Sequence, residues 1–199
     1  DIWCHIEDKT IESFKIASQE PKPSSNPVTI DNIVPRTLPG LKTEKPEVMR
    51  KLMTKAYDEI LTNYPNAVYI GEDVSHGGYY LVTQGLARKH PRRVTDFPPD
   101  ETALLGTAIG YSNIGLLPIV EIPYAKYLDC ALDMFTEAAI ATWLSNGQKP
   151  NGMIIRLQGF DRGVFGGNYH THNSLHIPPG IDVLCYSNGP DYVRGLRWT

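Results

Sequence analysis

The chain has 199 residues, of which 41% are hydrophobic and 21% charged, values typical of a globular protein with a buried core. Its formal net charge of −3 argues against a polybasic surface for nucleic acid or membranes, and no segment approaches the roughly 20 apolar residues of a membrane helix. Three widely separated cysteines and the lack of a C-x-x-C pair argue against a disulfide framework or a zinc ribbon and favour a reducing compartment.

The first 46 residues are predicted to form a helical tail followed by a linker. In residues 1–20, apolar side chains recur at roughly helical spacing, at Ile6, Ile11, Phe14 and Ile16. Residues 21–46 are rich in proline and small polar residues, which is typical of a semi-extended linker. The sequence starts at Asp1 without a methionine, and its last residues are typical of a helix interior. Both features suggest a piece of a longer protein.

Residues 47–199 alternate predicted helices and strands, which indicates one α/β domain. Helices are predicted at residues 48–61, 79–89, 102–114 and 127–143, and a last one starts at Gly189-Pro190. Strands are predicted at residues 67–70, 94–96, 117–122, 153–157 and 181–186. Because the strands are apolar throughout and alternate with helices, we expect a parallel sheet covered on both faces, a three-layer α/β sandwich.

Polar residues gather at the carboxyl ends of these predicted strands. They are Gly71-Glu72-Asp73 after the first strand, Asp100-Glu101 after the second, Glu121 in the third, and the loop from Gln158 to Gly167 after the fourth. Ligands bind at the carboxyl ends of the strands in open α/β sheets. This convergence is the strongest physical indication of a site.

Residues 93–110 are predicted to form a turn followed by a helix of small residues. Pro98-Pro99 precedes two adjacent carboxylates at the point where the helix should begin, and Asp100 is predicted to be the N-cap. Glu101 would then lie at the head of a helix that Gly106, Ala108 and Gly110 suit for close packing. A carboxylate held near a buried interface can have a perturbed proton affinity, a common property of catalytic groups.

The loop after the fourth strand contains glycines, aromatic residues and three histidines, His170, His172 and His176. Three interpretations remain open: histidines bonded to the backbone, one histidine in acid/base work, or a metal site. The metal interpretation is the weakest, because no carboxylate or cysteine supplies a further ligand at a familiar spacing. Similarly, Tyr127 is either a core residue or a flat wall for a bound ring.

Familiar nucleotide and hydrolase motifs are absent: the sequence contains no G-x-G-x-x-G, G-x-x-x-x-G-K-[ST] or G-x-S-x-G. Another ordered set is present, namely G-E-D-V (71–74), V-T-Q-G-L (82–86), R-V-T-D-F-P-P-D-E (93–101), G-T-A-I-G (106–110), G-L-L-P-I-V-E-I (115–122), I-I-R (154–156) and P-G-I-D-V (179–183). This set resembles the transketolase-like pyrimidine-binding domain in the beta subunit, or beta half, of the decarboxylating component of 2-oxo acid dehydrogenase complexes.

The resemblance implies specific roles for five residues and a histidine. Glu101 matches the glutamate that bonds the aminopyrimidine of thiamine diphosphate and promotes the imino tautomer that removes the C2 proton. Tyr127 matches the aromatic residue that stacks on the pyrimidine, and Gly71, Glu72 and Asp73 match a strand-end turn near the cofactor. His170 matches the active-site histidine of the family, although H-T-H-N stands where H-S-Q is usual and the loop is shorter.

The resemblance also implies partners. In the family a G-D-G…N motif of the alpha half holds the diphosphate and Mg²⁺, and no G-D-G occurs in this chain. We therefore expect no metal ligand in these residues, and a site completed by an alpha subunit or a fused alpha half. A second copy in an alpha2beta2-like assembly and the lipoyl carrier of an acyltransferase core are further implied partners, in the cytoplasm or the mitochondrial matrix.

The implied reaction is thiamine-dependent oxidative decarboxylation of a 2-oxo acid with acyl transfer to lipoyl. The sequence does not choose between pyruvate, branched-chain 2-oxo acids and 2-oxoglutarate. Two alternatives remain: another transketolase-like thiamine enzyme, such as a transketolase or a deoxyxylulose phosphate synthase, and a non-catalytic module that has kept the fold.

Overall fold

A computed structural model describes residues 2–19, 47–146, 148, 151–159, 177–178 and 180–198. The chain divides into two compact units, Asp1–Pro39 and Gly40–Thr199. In the first unit the described part is one helix, α1 (Ile2–Gln19), whose residues from His5 onward are exposed. The predicted linker at residues 21–46 and the histidine loop lie outside the described residues.

The second unit is built on a four-stranded sheet that is parallel throughout. Its strands are β1 (Ala67–Gly71), β2 (Val94–Asp96), β3 (Leu117–Ile122) and β4 (Ile154–Leu157), and they lie in the order β2-β1-β3-β4. Two pairings fix the register: Tyr69 lies opposite Ile119, and Glu121 opposite Arg156. The predicted parallel α/β architecture is confirmed.

The helices of this unit are α2 (Met49–Asn63), α3 (Leu86–Lys89), α4 (Glu101–Asn113), α5 (Leu132–Leu144) and α6 (Gly189–Trp198). Two short 3₁₀ segments, Val74–His76 and Ala125–Ala131, lie in the connections after β1 and β3. In the part of the chain that the structure covers, no helix is both long and apolar enough to span a bilayer.

Alternating side chains of the strands build a core on each face of the sheet. Tyr69 and Ile119 face a cluster that includes Tyr57 and Leu61 of α2. Neighbouring strand residues such as Ile70 and Val120 face the opposite way, into a cluster with α4 and the 3₁₀ segment after β3. This period of two is the normal consequence of strand geometry. Both faces are covered, so the polar residues at the strand ends stand at the edge of a rigid core.

Two predicted helices are wrong in part, and one predicted strand is wrong. The helix predicted at residues 79–89 is reduced to α3, because Leu81 and Gly85 take positive φ angles of 56° and 81° that interrupt a helix. The helix predicted at residues 127–143 begins as 3₁₀ turns and becomes α-helical only at Leu132. The strand predicted at residues 181–186 does not form; these residues are described but join no neighbour in the sheet.

Candidate active site

The head of α4 separates the roles of its two acidic residues. Asp100 has an extended backbone, with φ −143°, and its Oδ1 accepts the backbone N–H of Ala103 at 2.9 Å. The prediction that Asp100 is the N-cap is confirmed. Glu101 is therefore the first helical residue, half-buried, and among the described residues its carboxylate has no hydrogen bond or ion pair. The positive end of the helix dipole favours a negative charge there.

The turn after β1 brings two more carboxylates to this edge. Gly71 ends the strand, and a Cβ at that position would lie 2.7 Å from the backbone oxygen of Glu121, so only glycine allows β1 and β3 to approach so closely. Asp73 adopts a left-handed conformation with φ 52° and is exposed. Glu72, between them, is half-buried and accepts a hydrogen bond from the Tyr79 hydroxyl at 3.2 Å.

Electrostatic effects show that these groups lie close together. Burial is the main cause that raises the pKa of Glu72 above its usual range; the Tyr79 hydrogen bond opposes it, and the carboxylates of Glu101 and Asp73 add to it. The pKa of Tyr127 is also raised, first by burial and then by Tyr124, Glu72 and Glu101. We refer to Glu72, Asp73 and Glu101 as the acidic cluster. Its three carboxylates suit a bound group with hydrogen-bond donors.

Tyrosine rings form one wall beside the acidic cluster. Tyr124 is buried in the β3–α5 connection, with its ring centroid 5.3 Å from that of Tyr127 and 5.6 Å from that of Tyr79, both in edge-to-face geometry. Such contacts fix ring orientation. Tyr127 itself is only half-buried, in the Ala125–Ala131 segment, so part of its ring remains available to a ligand.

Beneath this edge of the sheet lies a buried ion pair. Glu121 and Arg156, whose side chains are 1% and 5% exposed, approach to 2.9 Å between Oε1 and Nη1, and the Tyr69 hydroxyl donates to Glu121 Oε2. Burial alone would lower the pKa of Arg156, but the Glu121 carboxylate and then Tyr69 raise it well above its usual range. The charged pair therefore joins β3 to β4 near the ends of the two strands.

Most of the predicted site residues converge at this edge. Gly71, Glu72 and Asp73, with Glu101 and Tyr127, lie around one edge of the sheet, whereas His170 lies outside the described residues. The sequence interpretation missed Tyr79 and Tyr124, which follow a Gly-Gly turn and a strand end. It also gave no role to Arg156, although an arginine within an apolar strand is a signal for a buried partner.

Comparison with known protein families matches residues 45–197 to the transketolase pyrimidine-binding domain. The chain is 45% identical over 149 residues to the pyruvate dehydrogenase E1 component subunit beta of Chlorokybus atmophyticus, covering 72% of this chain and 44% of that protein. It is 32% identical over 172 residues to the mitochondrial 2-oxoisovalerate dehydrogenase subunit beta of Dictyostelium discoideum, covering 81% of this chain and 46% of that protein.

A third relative is the beta subunit of acetoin:2,6-dichlorophenolindophenol oxidoreductase from Cupriavidus necator, 30% identical over 159 residues, covering 72% of this chain and 46% of that protein. The chain thus spans about half the length of the curated relatives it matches. These matches confirm the resemblance drawn from the ordered motifs. The chain belongs to the transketolase pyrimidine-binding domain family, and its relatives include beta subunits of pyruvate and 2-oxoisovalerate dehydrogenases.

Proposed function

We propose that this chain supplies the aminopyrimidine half of a thiamine diphosphate site in the decarboxylating component of a 2-oxo acid dehydrogenase. The observation that carries the proposal is Glu101: a half-buried carboxylate at the start of α4, with no described partner, beside Tyr127. The family membership and the beta-subunit relatives support the assignment.

The residues at this edge fit an aminopyrimidine. That ring offers a nitrogen that needs a carboxyl partner, an amino group that donates hydrogen bonds, and two flat faces. Glu101 matches the first need, and the half-exposed ring of Tyr127, held by Tyr124, provides a flat surface at the correct edge of the sheet. The remaining carboxylates of the acidic cluster favour a ligand with donors.

Thiamine diphosphate, when bound, would supply the nucleophilic chemistry for decarboxylation of a 2-oxo acid. The part of this chain is to hold and move a proton at Glu101. Glu101 is the first residue of α4 and has no hydrogen bond or ion pair among the described residues, so its carboxylate is available to a ligand that donates a hydrogen bond. Tyr127 would orient the ring, and the Glu121–Arg156 pair joins the ends of β3 and β4.

The rest of the machinery is proposed to lie outside these residues. Diphosphate and Mg²⁺ would be held by an alpha subunit or a fused alpha half, and His170 would act on the substrate. The acyl group would pass to a lipoyl carrier of an acyltransferase core, in an assembly with two copies of each half. The proposed location is the mitochondrial matrix or the cytoplasm; several relatives carry mitochondrial in their names, which supports the first.

The substrate is proposed to be pyruvate or a branched-chain 2-oxo acid. The relatives include pyruvate dehydrogenases, one of which has the highest identity quoted above, and 2-oxoisovalerate dehydrogenases, one of which aligns over 172 residues. A decarboxylation assay with both substrates on the intact protein separates them: the preferred one has the higher kcat/KM. Equal inactivity with both would contradict this proposal.

The direct test replaces Glu101 by glutamine in the intact protein assembled with its partner half. Gln keeps the size but cannot relay a proton, so turnover should fall by about 10²–10⁴-fold. The matched control is Asp100→Asn, which keeps the N-cap acceptor and should leave turnover within about threefold. If Glu101→Gln kept full turnover, the assignment of Glu101 would be wrong.

A further inference from the structure

Three polar side chains meet just outside the acidic cluster, where β2 ends. Asp96 Oδ1 accepts the backbone N–H of Ser75 at 2.7 Å, and its Oδ2 accepts the Ser75 hydroxyl at 2.5 Å. The Nδ1 of His76 lies 3.0 Å from the Ser75 hydroxyl and 3.3 Å from Asp96 Oδ2. One carboxylate thus binds both the main chain and the side chain of a single residue on the neighbouring connection.

Ser75 lies in the segment that shapes the acidic cluster. It follows the left-handed Asp73 and belongs to the Val74–His76 turn. The carbonyl of Asp73 accepts the N–H groups of His76 and Gly78 at 3.0 and 2.9 Å, so the left-handed residue and the turn form one unit. An L-residue with positive φ is disfavoured by its Cβ and needs outside support to persist.

The end of β2 supports this unit from both sides. Asp96 binds Ser75 within the Val74–His76 turn, and the next residue, Phe97, donates its N–H to the carbonyl of Gly71, before Glu72, at 2.8 Å. Glu72 and Asp73 lie between these two fixed points. The same stretch of chain continues through Pro98-Pro99 to Glu101, so the element that presents Glu101 also fixes the position of Glu72.

The charge state of Asp96 agrees with this role. Partial burial would raise the pKa of its carboxyl, but the hydrogen bonds from the Ser75 hydroxyl and N–H, and the contact with His76, lower it below its usual range. The acceptor is therefore ionised, which gives charge-assisted hydrogen bonds.

We propose that Asp96 is a positioning residue: by holding Ser75 it keeps the Glu72–Asp73 turn beside Glu101, in the geometry that the cofactor requires. This role rests on the proposed function of the acidic cluster. Asp96 does not touch the reacting atoms and acts only through Ser75. The Asn side chain has the same shape and keeps an acceptor for the Ser75 N–H, whereas Ala removes both bonds.

The experiment compares Asp96→Ala, Asp96→Asn and Glu59→Ala in the intact protein. Glu59 is the matched control, since its side chain is 40% exposed against 37% for Asp96 and it too is held by paired hydrogen bonds, from Arg197, but it lies on α2. Two readouts are taken: hydrogen exchange of a peptide covering residues 72–78, and the thiamine diphosphate concentration at half-maximal activity.

With Asp96→Ala, exchange in residues 72–78 should quicken and the half-saturating cofactor concentration should rise about tenfold, a loss typical of misplaced binding groups. Asp96→Asn should restore both to within about threefold, and Glu59→Ala should change neither. The proposal is overturned if Asp96→Ala matches Glu59→Ala in either readout, or if Asn behaves as Ala does, while Glu101→Gln abolishes turnover. If Glu101→Gln is also without effect, the proposed function itself is wrong and the role of Asp96 falls with it.

Discussion

Two glutamates stand at the same edge of the sheet in opposite surroundings. Glu121 is 1% exposed, is paired with Arg156 and accepts a hydrogen bond from Tyr69. Glu101 is half-buried and has no cation or donor among the described residues. A buried charge needs a partner, so Glu121 is committed to holding β3 and β4 together. The available charge is the one at the helix head, where a ligand can reach it.

The largest expected difference between the two glutamates is in their contribution to stability. Arg156→Met leaves Glu121 as an uncompensated buried carboxylate, and should lower the free energy of unfolding by about 3–5 kcal/mol. The matched control is Arg197→Met, which removes the exposed pair with Glu59 and should cost no more than about 1 kcal/mol. Urea unfolding of both variants decides: equal small losses would mean that Glu121 is not committed as described.

A smaller effect concerns the close approach of the backbone to Glu121. A Cβ on Gly78 would lie 2.8 Å from Glu121 Oε1, and the residue has φ +67°. Because Arg156 and Tyr69 hold that carboxylate, Gly78→Ala should destabilise the fold by about 1–3 kcal/mol. Gly110→Ala, with open space around its Cβ on α4, should instead be neutral or stabilise by up to about 1 kcal/mol. Thermal unfolding that ranked the two variants the other way would contradict the packing described.

The smallest expected effect is a pH dependence of the stability that Glu72 of the acidic cluster contributes. The folded pKa of Glu72 is raised, so the stability it contributes is present below its unfolded value of 4.5 and is lost as pH rises through the folded pKa. Glu72→Gln should therefore raise the stability near neutral pH relative to the parent, and the difference should vanish in acid. Urea unfolding across the acid-to-neutral range checks the sign; a variant that is less stable at neutral pH would contradict the shift.

Local chemistry made much of this fold predictable. The four strands of the sheet lie within a residue of the predicted ranges, because each is a short apolar run bounded by turn residues. The Asp100 cap was predictable because proline and an acidic residue precede a run of helix formers. The convergence of the acidic cluster followed from the rule that ligands bind where parallel strands end.

What failed depended on contacts distant in sequence. An apolar run such as residues 181–186 becomes a strand only if a neighbouring strand offers hydrogen bonds, and no local pattern records that. The helix predicted from residue 79 onward is interrupted at Leu81, which has a positive φ although leucine rarely adopts one. The Asp96–Ser75 contact joins residues 21 apart, so no local pattern indicates the support that the acidic cluster receives.

The different roles of the two glutamates can be measured side by side in Glu101→Gln and Glu121→Gln, with turnover and urea unfolding recorded for each. We expect Glu101→Gln to lose about 10²–10⁴-fold in turnover with a free energy of unfolding within about 1 kcal/mol of the parent. We expect Glu121→Gln to lose several times more stability, because Arg156 is left buried without its counter-charge. Full turnover in Glu101→Gln, or unchanged stability in Glu121→Gln, would contradict these roles.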